Sequence, residues 1–109
     1  HDFVIMRDIY RGKRNPLAMQ SSLMWWSKPH EFLYDEFKTG ERYCEGGDQI
    51  YLEHALRNEP VTYWQDITDG VCSFKADVLE HGVREQDKVI VFHGKPRPWE
   101  QTRVQYACV

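Results

Sequence analysis

The sequence predicts an α/β (α+β) domain, a mixed β-sheet carrying two or three helices, and three observations lead there. Val89 to Phe92 is an unbroken apolar run rich in β-branched residues, with Pro96 and Pro98 following too closely for a helix of useful length. Such a run reads as a buried central strand. Leu33 with Phe37, and Leu52 with Leu56, stand at i, i+4 inside stretches bounded by proline, glycine and aspartate, the spacing of amphipathic helices. Val71 to Lys75 alternates apolar and polar side chains, the period of a strand, with Val71, Ser73 and Lys75 on one face and Cys72 and Phe74 on the other.

Taken in order, Phe3 to Met6 is a short apolar strand, and the basic cluster Arg11, Lys13 and Arg14 sits among Gly12, Asn15 and Pro16 as a loop. A second strand runs from Leu17 to Trp26, interrupted by Gln20, Ser21 and Ser22. Polar side chains inside a buried strand must be satisfied internally or point into a site. Ser27 is expected to cap a helix over 29–38 with Pro29 in its first turn, an aromatic stripe packed on the core and Gly40 as its stop. Gly46 and Gly47 turn the chain into a second helix, capped by Asp48 and running through Leu56. Val61 to Gln65 is a short strand and Asp66 to Gly70 is turn chemistry.

A chain of 109 residues is one domain at most. Its net charge of −3 argues against a general nucleic-acid binder, which needs a basic face to displace counterions. Cys44, Cys72 and Cys108 are odd in number and lack metal-ligand spacing, so neither a disulfide framework nor a zinc knuckle is expected, and a reduced, cytoplasmic setting is the default. No apolar run reaches the roughly 18 residues of a membrane span. The chain starts at His1 rather than methionine, and we expect it to be the C-terminal piece of a longer protein.

Chemistry concentrates where the Val89 to Phe92 strand ends, at His93-Gly94-Lys95-Pro96-Arg97-Pro98-Trp99. The carboxyl ends of strands in α/β sheets are where ligands sit, and here they offer one metal or proton ligand and two phosphate-binding cations. The other histidines, His1, His30, His54 and His81, share no ligand spacing with one another or with the cysteines.

The order Gln20-Ser21-Ser22-Leu23-Met24, then Asp48-Gln49, then His93 to Trp99 resembles the C-terminal half of a GT-A-type glycosyltransferase. It is most similar to the retaining family of glycogenin and bacterial lipooligosaccharide galactosyltransferases, with its N-S-G-V-M-like strand, its D-Q pair opening a helix and its closing H-x-x-G-x-x-K-P-W motif. Uncharacterised bacterial and phage relatives of these enzymes, with S-S-x-M-x-W, G-G-D-Q and V-x-F-H-G-K-P-R-P-W, resemble it more closely. The resemblance runs over nearly the whole chain. It departs from the family in the shorter spacing from His93 to Trp99, in Gln20 for asparagine and Ser22 for glycine, and in having no D-x-D motif.

The resemblance implies the following roles. His93 becomes a ligand of a divalent metal (Mn2+ or Mg2+) on the donor diphosphate, and Lys95 or Arg97 contacts that diphosphate, with Trp99 closing the substrate-binding motif. Asp48 and Gln49 lie against the donor sugar near the reacting carbon. Gln20, Ser21 and Ser22 align with the polar strand facing sugar or acceptor. The implied partners are a nucleotide-diphosphate sugar and a glycan or other acceptor. An upstream half, or an oligomer partner, is expected to complete the metal site, leaving this chain inactive alone. A non-catalytic structural or ligand-binding module on the same scaffold is the rival expectation.

Overall fold

The computed structural model describes residues 1–40 and 47–102, so Cys44, Gly46 and Cys108 lie outside the described residues. The architecture is the α/β class that the patterning predicts, with strands in two small sheets. Packing divides the chain into two compact units, His1–Ile67 and Thr68–Val109. No helix among the described residues is long and apolar enough to cross a membrane.

The first unit is built on a three-stranded mixed sheet. Strand β1 (Phe3–Arg7) lies between β2 (Met19–Trp26), antiparallel to it, and β3 (Val61–Tyr63), parallel to it. Helices α1 (Glu31–Thr39) and α2 (Gly47–Ala55) connect β2 to β3, and α3 (Trp64–Ile67) follows β3 directly. Phe3, Ile5, Met19, Leu52, Leu56 and Tyr63 form the core, with Phe32, Leu33 and Val61 packed against it. Each such buried side chain contributes roughly 1.5–3 kcal/mol, which is why the apolar face of α2 is held on the sheet.

Helix α1 departs from its expected start. Ser27 does not cap it; its hydroxyl donates to the His1 carbonyl at 3.0 Å, and the helix begins after His30. Gly40 ends the helix as expected, at a φ of 78° that a side chain would disfavour. The aromatic stripe is core only in part. Phe32 and Leu33 touch the core, whereas Tyr34 and Phe37 are exposed, Phe37 meeting the edge of the Tyr51 ring.

The second unit holds two parallel strands, β4 (Val71–Ser73) and β5 (Val89–Val91). A π-helical turn (Phe74–Val78) and α4 (Leu79–His81) connect them. Cys72, Phe74 and Val78 are buried together, with Ile90 and Phe92 against them and the rings of Phe74 and Phe92 stacked 4.6 Å apart. Two expectations change here. The alternation over Val71 to Lys75 is strand only as far as Ser73, because Asp77 accepts the Ser73 N–H at 2.8 Å while the Ser73 hydroxyl accepts the Ala76 N–H at 3.1 Å. That reciprocal cap starts a helical turn. The expected buried central strand, in turn, has Val89 exposed and only Val91 buried, since β4 is its one neighbour among the described residues.

Candidate functional site

The polar interruption of β2 is where its register breaks. Ile5 pairs with Met24 and the next residue, Met6, with Gln20, so Ser21, Ser22 and Leu23 bulge out of the β1 ladder. Bulges of this kind re-aim side chains. Side chains take up two of the backbone groups the bulge releases: Trp64 Nε1 donates to the Leu23 carbonyl at 3.2 Å, and Gln49 Oε1 accepts the Ser21 N–H at 3.4 Å. One helical turn further, Glu53 Oε1 accepts the Met19 N–H at 2.7 Å. Residues at i, i+4 on a helix are about as far apart as alternate N–H groups on a strand. Gln49 and Glu53 therefore tie α2 to β2 along its length.

Asp48 is not the isolated cap expected of it. It stands inside the first turn of α2, and its Oδ2 accepts the Ser21 hydroxyl at 2.8 Å. Gln20 is buried, and its Oε1 has no hydrogen-bond partner among the described residues. The first unit thus brings together Ser21, Asp48 and Gln49 and places a buried, unused amide oxygen on the residue next to Ser21. Ser22 is exposed. Of the basic loop, Arg11 is structural, pairing with Glu53 at 2.7 Å and donating to the Met19 carbonyl at 2.9 Å.

In the second unit, His93 follows β5 and lies beside the end of β4. Its Nε2 is hydrogen-bonded to the Ser73 hydroxyl at 2.7 Å, and Ser73 is fully buried. Which group donates depends on the imidazole tautomer. Gly94 follows with φ 68°, and a Cβ there would come within 3.0 Å of Lys75 Nζ. Lys95 and Arg97 are exposed and form no side-chain ion pair among the described residues, and Trp99 is 75 % exposed. The Arg97 N–H donates to Glu100 at 2.9 Å, opening a short 3-10 turn over Pro98–Glu100.

Below this turn Cys72 is a poor nucleophile. Burial, with the carboxylates of Asp87 and Asp77, pushes its thiol up to about 11. Asp87 is held by Arg84, which donates to it from the backbone and the guanidinium, both at 2.8 Å. Those hydrogen bonds pull the Asp87 carboxyl below its ordinary value.

Sequence reasoning missed Ser73, Lys75 and Glu53. The first had a local signal, a serine closing an alternating strand with an aspartate four residues on; the other two are placed only by long-range packing. Among the described residues no group of three or more His, Cys, Asp or Glu side chains is arranged to hold a metal ion. A Mn2+ or Mg2+ ion needs about six ligands, mostly oxygen. His93 alone does not build such a centre, so the described residues do not by themselves fit the metal that the resemblance implies. Comparison of the chain with protein-family models, curated proteins and solved structures finds no match.

Proposed function

We propose that the chain is the C-terminal, donor-sugar and acceptor side of a metal-dependent nucleotide-sugar glycosyltransferase, cytoplasmic, transferring a sugar to a glycan or other acceptor. The observation that carries the reading is the Ser21–Asp48 hydrogen bond at 2.8 Å, with Gln49 on the Ser21 N–H. Residues assigned to the donor sugar (Asp48 and Gln49) and to the strand facing sugar or acceptor (Ser21), from separate parts of the sequence, are neighbours across β2 and α2. Carboxylate, amide and hydroxyl groups are what neighbouring sugar hydroxyls require, and the unused Gln20 Oε1 is a further acceptor.

In the second unit, Lys95 and Arg97 suit a diphosphate leaving group. Negative charge grows on it as the sugar–phosphate bond breaks, and nearby cations lower the energy of that charge. His93 would supply one ligand of a divalent cation whose other ligands come from outside the described residues.

The test is equilibrium binding of nucleotide-diphosphate sugars with Mn2+ to this chain, and to a longer form where coding sequence precedes it. Asp48→Asn and Ser21→Ala should weaken the sugar nucleotide more than the free nucleotide diphosphate, and His93→Ala should weaken both. Unchanged sugar-nucleotide affinity in Asp48→Asn would sink the reading. A non-catalytic module on the same scaffold is the second reading, favoured by Asp48 Oδ2 and His93 Nε2 already being engaged by serine hydroxyls. It predicts a stable fold with no nucleotide affinity.

A further inference from the structure

We propose that Lys75 is the principal phosphate-binding cation of the His93–Gly94 turn, ahead of Lys95 and Arg97. The inference rests on the glycosyltransferase reading for the diphosphate nature of the ligand, but its geometry stands on the second unit alone. The π-helical turn after β4 carries Lys75 back toward the segment that follows β5, and its Nζ arrives where a side chain on residue 94 would be, 3.0 Å from that Cβ position. Glycine leaves the space open.

Lys75 is partly buried as a residue, and among the described residues its ammonium has no hydrogen bond or ion pair. Asp77, the acid nearest to it in the chain, is occupied with the Ser73 N–H. An ammonium without a protein partner has its N–H donors free for an anion, which forms charge-assisted hydrogen bonds with it. Lys95 and Arg97 are exposed, screened by salt, and must give up side-chain freedom to hold a ligand. Lys75 is less exposed than either. A compact, tetrahedral, multiply charged oxyanion suits a point charge with three N–H donors and glycine backbone beside it, which describes a phosphoryl group better than a planar carboxylate.

The experiment titrates the full chain with inorganic pyrophosphate at low salt, with chelator present to remove metal, following the amide and lysine signals by NMR. Lys75→Met should weaken binding by about tenfold or more, the worth of one charge-assisted hydrogen bond. Lys75→Arg should retain much of it, while Lys95→Met and Arg97→Met should each cost less than Lys75→Met. Gly94→Ala, which crowds Nζ, should weaken binding with the lysine still present. Thermal melts and amide spectra check that each variant is folded.

Undiminished affinity in folded Lys75→Met, or no pyrophosphate binding by the wild type, would overturn the proposal. Pyrophosphate binding that depends on Lys75, in a protein that takes no nucleotide sugar, would leave this anion site standing while the glycosyltransferase reading fails. Nucleotide-sugar binding indifferent to Lys75 would do the reverse.

Discussion

Replacing Glu53 by alanine tests whether α2 holds β2 through side chains. Glu53 Oε1 accepts the Met19 N–H and Arg11 Nη1, both at 2.7 Å, from a carboxylate that is 18 % exposed. Met19 is buried, so in Glu53→Ala its N–H loses a charged acceptor, a penalty of about 1–3 kcal/mol. The Arg11 pair adds little, roughly 0.5 kcal/mol or less, because that side chain is 39 % exposed and keeps Asp8 and the Met19 carbonyl as partners. The expected total is about 1–3.5 kcal/mol. Glu53→Gln retains an oxygen for the Met19 N–H and should cost about a third as much.

The measurement is urea unfolding followed by tryptophan fluorescence in a Trp99→Phe background, where Trp25, Trp26 and Trp64 all report on the first unit. Midpoints should shift at constant slope. Equal effects of alanine and glutamine, or a loss below about 0.5 kcal/mol for alanine, would refute the argument that an unsatisfied buried N–H dominates.

Two other outcomes follow from the second unit and from the Arg7 contacts. With Cys44 and Cys108 changed to serine, Cys72 should react with a thiol reagent at pH 8 some two orders of magnitude more slowly than an ordinary cysteine, since a thiol pushed up to about 11 is only about one part in a thousand thiolate there. Labelling at an ordinary rate without denaturant would show that the thiol is neither buried nor raised. Asp66, hydrogen-bonded to the Arg7 guanidinium at 2.7 and 3.0 Å, and Asp87, hydrogen-bonded to Arg84, both titrate below the ordinary 3.8 in the folded chain. Their contribution to stability is therefore complete above that value and is lost as pH falls through the lower, folded one. Thermal melts should show stability falling in acid, and Asp66→Asn and Asp87→Asn should each flatten that fall while lowering the neutral-pH melting temperature. An acid slope identical to wild type in both variants would contradict the assignment.

The elements legible in the sequence are those whose cause is local. Phe3 to Met6 and the apolar half of β2 are strands because their side chains suit nothing else. Gly40 stops α1 because glycine alone accepts its backbone angles without cost, and Leu52 and Leu56 lie on one face because helical spacing puts them there. The candidate site residues of the first unit, Gln20, Ser21, Asp48 and Gln49, were legible as a set but not as an arrangement. Nothing in the spacing of Ser21 and Asp48 requires their hydrogen bond; the β2 bulge and the register of α2 along that strand create it.

In the second unit the same division holds more sharply. Alternation over Val71 to Lys75 made a strand the local expectation, and the capping pair of Ser73 and Asp77 overrode it after three residues. That turn sends Lys75 to Gly94 and leaves Ser73 facing His93. The sequence by itself determined which side chains are available, a histidine, a glycine and several cations after an apolar strand. Tertiary structure decided which of them meet, because hydrogen bonds between parallel strands set the ends of β4 and β5 side by side, which brings Lys75 Nζ to Gly94 and the Ser73 hydroxyl to His93.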